Sequence, residues 1–182
     1  MNELYVFIIL IILFYLYIFY IRKSIFLVKV KSNFNNVTYF VRDLPDKMDA
    51  ANLLGKITED LKKLISSLPK NTKNNRLKKY FKNNITENIP GSLYVAYSVN
   101  KGDELSLCLR NKDNSFIETN TIMFVAIHEI AHIMTLETGH TDKFWENMRY
   151  LLDNAIELGI YYQVDYSKVP TEYCGMTINS TP

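Results

Sequence analysis

Cysteine, histidine and net charge are all scarce in this chain of 182 residues. Two cysteines, Cys108 and Cys174, cannot form a disulfide framework, and their separation matches no thiolate metal motif. They suit a reducing compartment, with a single bridge between them as the alternative. A formal net charge of +2 nominates no strongly charged partner. There is no internal repeat and no low-complexity segment. The length allows one domain with a real core and room for a small appendage. The sequence has three histidines, His128, His132 and His140, and all of them fall in one short stretch.

That stretch begins His128-Glu129-Ile130-Ala131-His132, inside an apolar run from Thr121 to Leu136 that predicts a buried helix. On a helix, His128 and His132 share a face and can hold one metal ion. Glu129 is turned about 100° from His128, which sets its carboxylate beside that ion. Catalytic zinc takes three protein ligands and a water, whose pKa it lowers to about 7. Glu129 is then the general base, taking the proton and passing it to a leaving amine. The third ligand stays open on these grounds. His140, in Gly139-His140-Thr141-Asp142, is the leading candidate; Glu146, Asp153 and Glu157 are acidic alternatives on the following helix. The plain alternative is satisfied core histidines and a helix-end histidine. It would bury ionisable groups without a partner, which is costly.

Leu4 to Ile21 is an unbroken uncharged run. As a helix it covers roughly 27 Å, close to the hydrocarbon thickness of a bilayer. Arg22 and Lys23 follow it and no basic segment precedes it, so it does not resemble a cleaved signal peptide. The expectation is a transmembrane anchor over residues 1–23, in contact with the membrane through residues 4–21. A second domain, 24–182, then lies on the cytosolic side by the distribution of Arg22, Lys23, Lys29 and Lys31. A pair of buried core strands is the alternative for the same run.

Further along, Ser24–Lys31 and Val37–Val41 predict a hairpin around the turn residues Asn33–Asn36. Ala50, Leu54, Ile57, Leu61, Leu64 and Leu68 recur at helical spacing after Pro45-Asp46, and Pro69 stops them. A short helix is expected over 74–82. Ser92–Val99 and Glu104–Arg110 predict a second hairpin. Gly139 is expected as the C′ residue of the histidine helix. Thr141 is expected to cap a helix that turns Phe144, Met148, Leu151, Leu152 and Ala155 inward. The tail holds short strand-like pieces.

His-Glu-Ile-Ala-His-Ile-Met followed by Gly-His-Thr-Asp-Lys-Phe-Trp resembles the zincin metallopeptidases of the WLM and SprT-like group. The likeness covers about Ser92 to Gly159. Tyr39 to Lys47 and Tyr173-Cys174-Gly175-Met176 are similar to metallopeptidases of large DNA viruses. The resemblance implies zinc at His128, His132 and His140, with Glu129 as general base. It implies an α+β fold, a minimal zincin with a small mixed sheet packed on the active-site helix. It also implies a viral or host internal membrane for the anchor, and a substrate strand added along Ser92–Arg110. Tyr166 or Tyr173 is the candidate oxyanion stabiliser. The interval from His132 to His140 is longer than in typical WLM members and shorter than in many SprT-like ones, which leaves the subfamily open.

The resulting expectation is a membrane-anchored zinc peptidase acting on a protein or peptide. One alternative is a catalytically silent, zinc-bound structural protein of a virion membrane. Another is a protease acting on DNA-bound proteins, as the resemblance suggests, using the basic run from Lys62 to Lys82 as its nucleic-acid contact. A solvated helical face is the plainer reading of that run.

Overall fold

The computed structural model describes residues 2–92 and 94–182, with side chains for 4–17, 26–92 and 94–182. Helix α1 (Asn2–Phe26) leads into an antiparallel hairpin of β1 (Leu27–Lys31) and β2 (Thr38–Arg42). Asn36 closes the turn with a φ of 60°, a left-handed conformation that asparagine tolerates. Asn35 Nδ2 donates to Tyr39 Oη (2.9 Å) and Glu59 Oε1 (3.1 Å), pinning the turn to the next helix. Gly55 is what lets the two meet, since a Cβ there would lie 2.8 Å from Ser32 Oγ.

Helix α2 (Lys47–Ser67) buries Ala50, Leu54, Ile57, Leu61 and Leu64, the stripe expected from their spacing. Leu68 is already extended (ψ 137°), because the ring of Pro69 disfavours helical geometry before it. Helix α3 (Thr72–Tyr80) starts at Asn71, whose side chain accepts from Asn74 N at 2.9 Å. A three-stranded sheet follows, made of β3 (Ile85–Glu87), β4 (Ala96–Val99) and β5 (Glu104–Leu107). Its order is β3-β5-β4, with β3 parallel and β4 antiparallel to the central strand. Strand β4 is therefore an edge.

Helix α4 (Thr119–Met134) is buried nearly all round, as expected of an apolar helix with no solvent stripe. It ends at Thr135, whose hydroxyl donates to Ala131 O at 2.7 Å. Gly139 is not its C′ residue. It lies farther along the loop with φ 87°, where it turns the chain back toward the helix. Helix α5 (Asp142–Glu157) opens on Thr141, whose side chain accepts from Phe144 N. The tail closes with a hairpin of β6 (Thr171–Tyr173) and β7 (Met176–Ile178). Cys174 (φ 53°) and Gly175 (φ 85°) form its two-residue turn, in the paired left-handed conformation such hairpins favour.

Two expectations are corrected here. Cys108 and Cys174 are not free thiols; they form a disulfide with Cα atoms 6.2 Å apart, tying the last hairpin to the segment after β5. The transmembrane anchor is also overturned. No helix among the described residues is long and apolar enough to cross a membrane. Side chains 18–21 of the expected span lie outside the described residues. The single-pass placement on the cytosolic side of a viral or host internal membrane falls with the anchor. What remains is the α+β architecture.

Candidate active site

Helix α4 carries His128 and His132 on one face, one turn apart, and the loop into α5 returns His140 to them. The three Nε2 atoms converge on one point: His128 to His132 is 3.2 Å, His132 to His140 3.2 Å, and His140 to His128 3.0 Å. Among the described residues, these three are the group of His, Cys, Asp and Glu side chains arranged to hold a metal ion. Nitrogens bound tetrahedrally to zinc at 2.0–2.1 Å lie ~3.3 Å apart. The observed separations fit such an ion closely, and three imidazoles are a donor set suited to zinc.

The electrostatics agree with that fit. Burial pushes His128 down to about 3, helped by His132 and His140 beside it. Burial pushes His132 down to about 4, with His140 and then Lys101 adding to it. Both imidazoles are therefore neutral at neutral pH, the form that ligates metals. Glu129 sits next to them, half-buried, and burial raises its carboxyl to about 7. A divalent cation nearby would favour its ionised form.

The histidines rest on a floor that the sequence does not announce. Phe144, fully buried, has its ring centroid 4.8 Å from His128, 4.3 Å from His132 and 4.8 Å from His140. Trp145 stands 5.5 Å from His140. Buried Asn147 donates to Thr135 Oγ1 at 3.0 Å, joining α5 to the end of α4. Arg76 Nε donates to Ile133 O (3.0 Å) and Lys101 Nζ to Leu136 O (3.2 Å), so cations meet the carbonyl end of the helix.

The acidic alternatives for the third ligand lie elsewhere. Glu146 is exposed and pairs with Lys143 at 2.6 Å, while Asp153 and Glu157 are exposed on α5 outside the histidine cluster. Tyr173 is buried beside the site, and its hydroxyl donates to Cys108 O at 3.0 Å. Desolvation raises its pKa, so it stays protonated. Tyr166 packs on Phe124, ring centroids 4.6 Å apart, and lines neither of the depressions that flank the histidines.

Much of the basic run is used within the fold. Lys62 pairs with Glu59 at 2.8 Å, and Lys63 donates to Leu158 O. Lys73 lies 4.2 Å over the Tyr150 ring, and Lys78 donates to Leu68 O. A buried ion pair unforeseen from sequence holds the far side of the sheet. Arg110 Nε donates to Glu87 Oε1 at 2.8 Å with both side chains 1% exposed, and Arg110 Nη1 reaches Asp46 Oδ2 at 2.7 Å.

The sequence profile of the WLM domain matches residues 33–176. An uncharacterized protein of Acanthamoeba polyphaga mimivirus is 37% identical over 163 residues, 82% of this chain and 81% of the relative. A protein of Invertebrate iridescent virus 6 is 39% identical over 69 residues, 36% of this chain and 38% of its own length. The crystal structure of Wss1 from Saccharomyces cerevisiae is similar in fold, with a TM-score of 0.53 and 25% identity. That likeness covers 65% of this chain and 87% of Wss1.

Proposed function

The chain belongs to the WLM family, and from that premise we propose that it is a zinc-dependent metallopeptidase with Glu129 as its general base. Its relatives make it a WLM-type domain of the kind found in large DNA viruses. The family and the Wss1 likeness support a protease at family level. The observation that carries the finer reading is the convergence of His128, His132 and His140 to within 3.0–3.2 Å, with Glu129 lining the same two depressions as His128 and His140.

In the bound state zinc would supply an activated water and polarise the substrate carbonyl. His128, His132 and His140 would hold it. The other steps belong to the chain. Strand β4 offers its free edge to an extended substrate, whose backbone pairs with it and lays one carbonyl over the histidines. Glu129 accepts the proton of the attacking water and delivers it to the amine that leaves. Phe144 and Trp145 keep the imidazoles in place and exclude water from one side.

Replacing Glu129 by Gln tests this directly. The variant should retain one zinc per chain and lose peptide hydrolysis by roughly 10²- to 10⁴-fold. Undiminished cleavage would sink the catalytic assignment. A wild-type chain that binds zinc but cuts nothing would favour the silent structural alternative. His140→Ala should lower zinc content markedly, and unchanged zinc would return the third ligand to Glu146, Asp153 or Glu157.

A narrower reading takes DNA-bound proteins as substrates. It is supported by WLM membership and by the exposed cations of the run, Lys70, Lys79 and Lys82. It requires DNA binding that weakens steeply with salt. Absence of binding at low salt would exclude it.

A further inference from the structure

The last hairpin is held at its base and at its tip, by different means. At the base, Thr181 Oγ1 accepts from Tyr166 N at 2.8 Å and donates to Val164 O at 3.2 Å. At the tip, Cys174 is bonded to Cys108, and the Tyr173 hydroxyl donates to the Cys108 carbonyl at 3.0 Å. Strands β6 and β7 pair with each other and, among the described residues, with no other strand. The turn itself gives the tip little help. Cys174 has a φ of 53°, a left-handed conformation that asparagine or glycine adopts more readily than cysteine.

This hairpin joins two places. Tyr173, Met176 and Thr177 line the depression that also holds His128, Glu129 and His140. The bridge borders a separate depression of about 340 Å³, which Asn88, Pro90, Asn111 and Lys112 help to line. Cys174 is half-buried and Cys108 buried, so Cys174 is the more accessible of the pair to an attacking thiolate. Lys112 borders the same depression, and a cation there favours a leaving thiolate.

We propose that the Cys108–Cys174 bridge is a redox switch on the site: oxidised, it fixes Met176 and Thr177 in the wall beside the histidines, and reduced, it frees the tip and loosens the hold on a bound peptide. The inference rests on the peptidase reading and adds control of that site by thiol redox state. A dithiol partner supplies the electrons. Its thiolate attacks Cys174 Sγ, the bond between the sulfurs breaks, and Cys108 leaves as a thiolate that takes up a proton. The partner's second thiol gives up its proton and attacks its own mixed-disulfide sulfur, which releases Cys174 as a thiol and leaves the partner as a disulfide. Two electrons and two protons have then passed to the chain. The reduced thiols have an acceptor in reach, because Arg110 O lies 3.3 Å from Cys108 Sγ and 3.6 Å from Cys174 Sγ. Neither cysteine belongs to the group arranged to hold a metal ion, so the switch works with zinc in place. Once the tip is free, Thr181 still ties the base, and the opening stays local to the hairpin.

Two readouts on the full zinc-loaded chain test this without any bond being cut. One is the dissociation constant of a short peptide hydroxamate. The other is amide hydrogen exchange over residues 171–178. A phosphine serves as the reductant, since a dithiol would compete for the zinc; it becomes a phosphine oxide with oxygen taken from water. Reduction should weaken hydroxamate binding on the order of 3- to 10-fold, as a wall formed only part of the time would. Exchange in the hairpin should quicken, zinc content should stay constant, and reoxidation should reverse both changes. Cys108→Ser with Cys174→Ser should show the reduced values with or without the phosphine. Wild type carries the test alone if that variant does not fold. Unchanged affinity or unchanged exchange on reduction overturns the proposal, as does a loss of affinity that follows loss of zinc, or a double variant that responds to phosphine as wild type does. If the oxidised chain binds no hydroxamate, the peptidase reading is what fails, and hairpin exchange alone then decides the switch.

Discussion

Phe144 lies against His132 with ring centroids 4.3 Å apart and planes 28° from parallel, and the same ring touches the other two imidazoles. One side chain of α5 thereby sets the orientation of donors from α4 and from the loop. Phe144→Ala should cost about 3–5 kcal/mol of stability, as expected for emptying a fully buried aromatic site. It should also weaken zinc affinity, since the three rings lose their common support. Phe144→Leu should recover much of the stability but less of the affinity. Denaturant titration and a competitive zinc chelator read the two effects separately. Equal zinc affinity in wild type and Phe144→Ala would show that the floor is packing alone.

The parts of the molecule visible in the sequence are those in which one local pattern fixes the outcome. The helix of α2 follows from its apolar stripe and Pro69, and the start of α5 from the capping geometry of Thr141. The pairing of His128 with His132 follows from helical spacing. His140 needed a loop to be folded before its place was known, and Gly139 supplied the turn in a different role from the one expected. Strand β3 is three residues long, too short to carry a periodicity. The Arg110–Glu87 pair and the Cys108–Cys174 bridge join positions far apart in sequence, where composition says nothing of proximity. The apolar run at the start has the hydropathy of a span, yet no helix among the described residues is long and apolar enough to cross a membrane.

Glu87 is the hinge of the buried polar network. One oxygen accepts from Arg110 Nε at 2.8 Å and the other from the Arg42 backbone N–H at 2.7 Å, which ties β2 to β3. Glu87→Ala would leave the buried Arg110 with Asp46 as its remaining carboxylate and unpair the Arg42 amide, at a cost of about 3 kcal/mol. Arg110→Met leaves the buried Glu87 carboxylate with no cation and should cost at least as much as the removal of Glu87, with the double replacement costing less than the sum. Additive losses in a double-mutant cycle would mean that the two residues act independently.

The Cys108–Cys174 bridge spans a sequence separation of 66 and holds the hairpin that lines the depression beside His128 and His140. Cys108→Ser with Cys174→Ser should lower unfolding stability by about 2–4 kcal/mol through the freed unfolded chain. Wild type treated with a dithiol reductant should move the same way; two electrons and two protons pass to the bridge while the reductant becomes a disulfide. Thermal unfolding with and without reductant is the check. A midpoint insensitive to reductant in the wild-type chain would show that the bridge contributes nothing to the fold.

Asp46 gives the acid limb of stability a definite sign. Its hydrogen bond from Arg110 at 2.7 Å, outweighing a smaller opposing effect of burial, holds its carboxyl below the ordinary value of 3.8. The folded state therefore favours the ionised form more than the unfolded state does. That contribution is fully present above the unfolded carboxylate range and is lost as the pH falls through the lower folded value. Asp46→Asn removes the titration and keeps the size of the side chain. Wild type should be the more stable of the two at pH 6, and the gap should close as the pH drops below about 3.8. Chemical denaturation of both proteins from pH 6 to pH 3 measures the gap directly, and a difference that stays constant across that range would mean that Asp46 stabilises the fold by packing and not by charge.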